Sequence, residues 1–478
     1  LGPVKIGQFG LTKERYRPDL PHEFESLDER FFSLGQDADY YEGVVKLGPD
    51  IAPALMTALR DVVADLDLYR RAKREDVMGV SLMRSVNERT LTGQFHRILG
   101  GGARLTEYEF RYSGPKQIDP ESDPIELSFH VEPLTTPPTN IHVLIGRNGV
   151  GKSFLLNAMS RALVYPNESE SETGRFSDPP NPFTFDDDDN EFSSPFANIV
   201  AVTFSAFDDF PVVPRPRNAI KGVQYTNIGL RKVGIVDQKG ARKYGTVTRL
   251  SEELSQDFID SAKVCSLGDR RDRWLAALRT LESDPLFEES GVSGLARSSG
   301  DGFGVRAGRI FRGLSSGHKI VLLTLTKLVE KVDERTLVLM DEPETHLHPP
   351  LLSAFIRALS DLLINRNGVA IIATHSPVVL QEVPRSCVWH IRRHGGTTVA
   401  ERVQIETFAE HVGRLTHEVF GLEVTESGFH KMIANAVQPE DDLEAVGEKF
   451  DHEIGSEGRA LISALLVHGD SSDAEGDN

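Results

Sequence analysis

The sequence predicts an α/β protein: a mixed, largely parallel core sheet with an antiparallel β subdomain, a helical subdomain, and helical modules at both ends. Three observations carry this. First, "NIHVLIG" (140–146), "TLVLMDE" (336–342) and "GVAIIATH" (368–375) are short, almost wholly apolar and followed by helical patterns. Strands buried on both faces of a parallel sheet read this way. Second, "LTEYEFRY" (105–112) and "IELSFHV" (125–131) alternate apolar and polar residues, the period of half-buried, antiparallel strands. Third, "RLSEELSQDFIDSAK" and "DRWLAALRTLE" have the spacing of short helices.

In chain order, residues 1–102 form an N-terminal module. Its clearest element is the segment 51–75, where Leu55, Leu59, Val62 and Leu66 mark one helical stripe and Asp50 is placed to cap its start. Residues 103–249 carry the first half of the core. They are interrupted at 165–196 by a polar, acidic and Pro-rich stretch ("SDPPNPFTFDDDDN") that reads as a mobile loop. Residues 250–305 form a helical insertion, and 306–425 the second half of the core. Residues 426–478 are short amphipathic helices ending in an acidic tail, "GDSSDAEGDN", of disordered composition.

With 478 residues the chain is long enough for two to four domain-sized units. A net charge of -19 argues against wholesale electrostatic attachment to nucleic acid, leaving a local basic face as the only route. Two cysteines, Cys265 and Cys387, exclude a disulfide scaffold and a Cys-rich zinc site. The absence of any apolar run of about 18 residues argues against a membrane span, and "LGPVKIGQFG" has no apolar signal core. The expectation is a cytoplasmic protein.

Three motifs carry chemistry. "GRNGVGKS", Gly146, Arg147, Asn148, Gly149, Val150, Gly151, Lys152 and Ser153, follows a strand and, through Phe154, opens a helix. This is the P-loop pattern in its required setting: glycines let successive amides face phosphates, Lys152 reaches the β- and γ-phosphates, and the Ser153 hydroxyl takes Mg²⁺. "TLVLMDEPETHLHP" brings Asp341 and Glu342 to a strand end, where ligands of open sheets sit. Asp341 suits the Mg²⁺ shell, directly or through water, and Glu342 is placed to orient and deprotonate an attacking water. "AIIATHSP" puts His375 over the same edge, within reach of a γ-phosphate or that water. "GLSSGHK" adds a turn of small hydroxyl residues running into an apolar helix, a ready anion site.

In chain order, P-loop, "LSSGH", "DEP" and "ATHSP", these motifs resemble the ATP-binding-cassette (ABC) ATPases, and the resemblance spans about residues 103–425. About 25 residues separate Ser316 from Asp341, and about 34 separate Asp341 from His375. The resemblance implies ATP and Mg²⁺ as cofactors and a homodimer or higher even-numbered oligomer. Leu314, Ser315, Ser316, Gly317 and His318 would be the signature that caps ATP on the P-loop of a second copy. Where the family carries a Mg²⁺-sensing glutamine, this chain reads "NIVAVTFSAFDDF" (198–210), with Ser205 or Asp208 as substitutes. Tyr108, Tyr112 and Phe129 are candidates for a base-stacking aromatic.

"DEPETHLHPP" and "THSPVVL" look like the non-transporter branch that includes RecF, SMC and OLD-type proteins. There is no long coiled coil, and after His375 only about 100 residues remain for any nuclease domain. The plan is similar to that of bacterial anti-phage defence ATPases, such as the Septu ATPase subunit and retron-associated ATPases. That likeness implies a separate effector, such as a nuclease. Two other readings stay open. One is a RecF-like repair ATPase that touches DNA through "RRAKRE" (70–75) and "DRRDR" (269–273). The other is a nucleotide-gated scaffold with little turnover.

Overall fold

The computed structural model describes residues 2–11, 17–84, 86, 88, 90–100, 105, 107–117, 119, 121–132, 134–165, 168–177, 196–204, 223–238, 241–267, 269–298, 300, 302–425, 428–438 and 441–472. Contacts divide the chain into two units, Leu1–Ala409 and Glu410–Asn478.

The strands, numbered in chain order, are β1 Val4–Gln8, β2 Phe31–Gly35, β3 Tyr108–Ser113, β4 Glu126–Val131, β5 Ile141–Ile145, β6 Arg175–Ser177 and β7 Asn198–Thr203. They continue with β8 Gln224–Gly229, β9 Arg231–Gln238, β10 Ala241–Thr248, β11 Thr336–Asp341, β12 Val369–Thr374, β13 Val388–His394 and β14 Thr397–Arg402. The core sheet has the order β14-β13-β5-β12-β11-β7-β8. All its neighbours run parallel except the β13–β14 edge pair. Every residue of β5, β7, β11 and β12 is buried, which is why these strands lack a polar alternate.

Against this sheet lies the antiparallel layer β4-β3-β6. Phe110 and Phe129 face each other across β3 and β4, with ring centroids 4.8 Å apart, and Phe196 meets Phe110 edge-on at 4.9 Å. β6 is a correction to the loop expected at 165–196: Tyr112 pairs with Phe176, whose ring is buried, and a short helix covers Glu170–Thr173. Burying Phe176 sets the register here, although the local composition is that of a loop. Residues 178–195, with the acidic run, lie outside the described residues.

The helical insertion comprises Ser251–Cys265, Asp269–Leu281, Pro285–Ser290 and Phe303–Gly313. It packs on the helix Ser316–Lys331. The buried Trp274 indole donates to Thr326 Oγ1 at 3.0 Å, and the Cys265 thiol to the Thr326 carbonyl at 3.3 Å.

The N-terminal module departs from its sequence pattern. In place of one helix over 51–75 there are two, Ile51–Ala58 and Leu66–Ala72, and the Asp50 side chain caps nothing. The break is tertiary. Ser33 of β2 donates to the Arg60 carbonyl and accepts from the Val62 amide, each at 3.0 Å, so Asp61 is drawn out as a bridge partner of Ser33 in β2. Arg60 takes φ 48° to make the exit. Asp61 is then buried, accepting from the Tyr41 hydroxyl at 3.2 Å and the Val63 amide at 2.9 Å.

The second unit consists of the helices Val412–Thr425, Gly428–Ala436, Leu443–Glu448 and Ser456–Ser472, around Ile433, Val446 and Ile462. Residues 469–472 of the acidic tail therefore belong to a helix; 473–478 lie outside the described residues. No helix among the described residues is long and apolar enough to cross a membrane.

Burial pushes the Asp61 carboxyl up to about 6, against the hydrogen bonds that favour its charge. Its folded value lies above its unfolded one, so its contribution to stability is complete below about pH 4 and is lost as pH rises through about 6. The isosteric Asp61→Asn variant lacks this dependence. In urea titrations it should gain on the wild type by about 2 kcal/mol between pH 4 and pH 7. A constant gap between the two proteins would show that Asp61 does not titrate in this range.

Candidate nucleotide site

Parallel pairing fixes where the functional strands end. Thr374 of β12 is level with Ile145 of β5, Asp341 of β11 with Ala373 of β12, and Thr203 of β7 with Asp341. The P-loop, the acidic pair and His375 thus leave the sheet at one edge, the carboxyl edge on which open α/β sheets bind ligands.

After β5 the chain turns through Gly149 (φ 79°) and Gly151 (φ 102°), a conformation costly for residues with a Cβ, and enters the helix Lys152–Val164. Arg147, Asn148, Gly149, Ser153 and Phe154 are exposed, Gly151 is half-buried, and Gly146, Val150 and Lys152 are buried. The Lys152 ammonium donates to the Gly146 carbonyl at 2.8 Å and the Arg147 carbonyl at 2.9 Å. Burial lowers its pKa, and the charges of Glu342, Asp341 and Glu344 oppose that shift, which brings the lysine and the acidic motif within one electrostatic neighbourhood.

Asp341, the last residue of β11, is fully buried. Glu342 follows in the left-handed region (φ 43°), its amide held by the Ala373 carbonyl at 2.9 Å. His375 stands between two carboxylates, with Nδ1 3.5 Å from Glu342 Oε1 and 3.2 Å from Glu344 Oε1. Sequence reasoning missed Glu344. Its Oε1 also accepts from the Thr374 hydroxyl at 2.6 Å and from the His375 amide at 2.9 Å. It is therefore the group that fixes the turn carrying His375. The only sequence signal was a third acidic residue in "DEPE".

The "GLSSGHK" turn opens the helix Ser316–Lys331, with Ser315 as its N-cap. Ser315 and Ser316 are exposed and Gly317 half-buried, whereas Leu314 and His318 are buried. The His318 side chain points into its own chain: Nδ1 is 2.6 Å from Ser315 Oγ and Nε2 3.0 Å from Asp284 Oδ1. The side chain at the last signature position is thus engaged in an internal bond. Gly317 lies against the loop after β11, where a Cβ would come 2.4 Å from the His346 carbonyl oxygen. His346 Nε2 in turn is 3.1 Å from the Phe204 carbonyl, the end of the segment described after β7. Ser205 and Asp208 lie outside the described residues.

The aromatic candidates are not at this edge. Tyr112 and Phe129 are fully buried in the core. The Tyr108 ring stacks under Arg335 at 3.6 Å and its hydroxyl reaches the Asn367 carbonyl, where β11 and β12 begin. Within the basic clusters, Arg70 pairs with Asp67 and Lys73 with Glu88, each at 2.5 Å, and Arg271 lies 3.5 Å from Asp272.

Residues 205–381 match the family described as "AAA domain, putative AbiEii toxin, Type IV TA system". That range holds the signature-like turn, the acidic motif and His375. Protein ea59 of Escherichia phage lambda is 38% identical over 492 residues, covering 98% of this chain and 90% of that relative. Among solved structures, "An inward-facing conformation of a putative metal-chelate type ABC transporter" matches 66% of this chain and 90% of its own, at 13% identity and a TM-score of 0.33. The strand–loop–helix setting of residues 146–153 and the charged groups at the same sheet edge have the geometry of a P-loop nucleotide site, and the family match covers the part of that site that follows residue 205.

Two outcomes check this geometry. Glu344→Ala leaves the Thr374 hydroxyl and the His375 amide without their acceptor and should cost about 1–3 kcal/mol in denaturant unfolding, whereas Glu344→Gln, which keeps Oε1, should cost far less. Equal losses would mean that the acceptor is not what matters. Gly317→Ala should destabilise by about 1–3 kcal/mol, because backbone faces the new methyl group.

Proposed function

The chain belongs to the family of protein ea59 of phage lambda, and we propose that it is an ATP-hydrolysing switch whose composite sites form between two copies. The observation that carries this is the pairing of one complete phosphate-handling edge with one outward-facing signature turn on the same chain. Lys152, Asp341, Glu342 and His375 share the edge, while Ser315 and Ser316 open a helix N-terminus to solvent. In a head-to-tail homodimer each turn meets the triphosphate held by its twin.

In this reading the amides of 147–153 and the Lys152 ammonium bind the phosphates. Ser153 and Asp341 would hold Mg²⁺, which offsets charge on the transferred phosphoryl group. Glu342 takes the proton of the attacking water. His375, oriented by Glu344, contacts the γ-phosphate or that water. Lys152 must give up its bonds to the Gly146 and Arg147 carbonyls to reach phosphate, so nucleotide exchanges one set of acceptors for another.

The clamp would gate a separate effector, such as a nuclease, in competition between phage and host. That setting rests on the likeness of the motif plan to defence ATPases. The net charge of -19 gives little support to a DNA-binding role.

Glu342→Gln should bind ATP and accumulate as a dimer by light scattering, with phosphate release slowed at least about 100-fold. Wild-type turnover by that variant would remove Glu342 from the chemistry. Lys152→Ala should lose ATP-dependent dimerisation. Mixed with a Ser316→Arg chain, which is also inactive alone, it should recover part of the activity, since one composite site is then intact. Complete absence of complementation would rule out sites shared between copies.

A further inference from the structure

Three side chains from separate segments converge behind the signature turn. Asp284 caps the helix Pro285–Ser290, its Oδ1 accepting from the Leu286 amide at 3.0 Å. His318 lies in the first turn of the signature helix, and His348 is the N-cap of the helix Pro349–Ile364. His318 Nε2 is 3.0 Å from Asp284 Oδ1, and His348 Nε2 is 3.3 Å from Asp284 Oδ2. All three ligand atoms lie within 4.8 Å of one another.

We propose that Asp284, His318 and His348 form a site for a borderline transition metal of the Zn²⁺ class. Four ligands at about 2.0–2.1 Å in a tetrahedron stand about 3.3 Å apart; here one atom from each of the three residues lies within 4.8 Å of the others, and each imidazole faces a different oxygen of the Asp284 carboxylate, so small side-chain rotations close the shell. Two imidazoles and one carboxylate make a donor set suited to Zn²⁺ rather than to Mg²⁺ or Ca²⁺, which prefer all-oxygen shells. Asp284 and His318 are buried, whereas the His348 side chain is 50% exposed, which gives the ion an entry path and leaves the fourth position to water. The proton that a metal-bound His348 carries on Nδ1 displaces only a long contact, 3.4 Å, to the Leu351 amide.

The site has an outer partner that matters for the switch. His318 Nδ1 is 2.6 Å from Ser315 Oγ. When Nε2 carries its proton toward Asp284, Nδ1 has a lone pair and the Ser315 hydroxyl donates inward. When Nε2 binds metal, the proton sits on Nδ1 and donates to Ser315 Oγ, so the hydroxyl hydrogen turns outward. Metal loading thus converts Ser315 into a donor for a phosphate on the twin, a consequence that rests on the head-to-tail reading above. The metal site itself does not.

Untagged full-length protein titrated with Co²⁺ in the absence of nucleotide tests the site. One Co²⁺ per chain should give the visible band of a tetrahedral complex, abolished by Zn²⁺ and retained in excess Mg²⁺. Asp284→Asn keeps the helix cap but loses the anionic ligand, and His348→Gln removes the exposed ligand; each should weaken Co²⁺ at least tenfold. Ser315→Ala, which removes the outer partner, should weaken it about tenfold. No tetrahedral band, a band lost to Mg²⁺, or one that Asp284→Asn and His348→Gln leave unchanged overturns the site. A band unaffected by Ser315→Ala overturns the link to the signature turn. Nucleotide is absent throughout, so a failure here is distinct from a failure of the ATP clamp.

Discussion

The level ending of four parallel strands is the constraint from which the rest of the site follows. Slanted hydrogen bonds lock β5, β12, β11 and β7 in a register that brings Ile145, Thr374, Asp341 and Thr203 to one edge. Each strand is buried on both faces, so a slip of one residue would carry an apolar ladder out of register across the whole sheet. The P-loop, the acidic pair and His375, though scattered over more than two hundred residues of chain, become neighbours only through this pairing.

Past the edge, control shifts from the sheet to short polar contacts. Glu342 can follow Asp341 directly because it adopts a left-handed turn, which redirects the chain at once into the turn Pro343–His346. That turn presents Glu344 to Thr374 and His375, and presents the His346 carbonyl to Gly317. The loop after β11 therefore touches both the histidine turn and the signature helix. The His375 amide bonds to Glu344 at 2.9 Å, and Gly317 packs so close to the His346 carbonyl that no side-chain carbon fits between them. One short loop thus links the turn that carries His375 to the start of the helix Ser316–Lys331.

The signature helix is also held from the side. Thr326 receives the Trp274 indole, and Asp284 joins the helix start to the helix Pro349–Ile364 through two imidazoles. The insertion 250–305 is thus more than a spacer: it supplies the carboxylate on which His318 is oriented. Residue 318, the last position of the signature-like segment, forms one half of an internal bond.

The sequence by itself determined which segments become buried parallel strands, because an all-apolar run of five or six residues bounded by turns has few other stable uses. It also determined the chemistry of the P-loop, since glycine spacing, lysine and serine act locally, within one strand–loop–helix unit. Elsewhere, partners distant in the chain decided the outcome. The apolar stripe over 51–75 promised one helix, yet β2 drew residues 60–62 away, because backbone hydrogen bonds and the burial of Val62 outweighed helical propensity. Glu344, Asp284 and His348 carried no distinguishing local pattern. Their roles arise from acceptors and donors 30 or more positions away in sequence, and only a packed tertiary structure brings such groups within hydrogen-bonding reach.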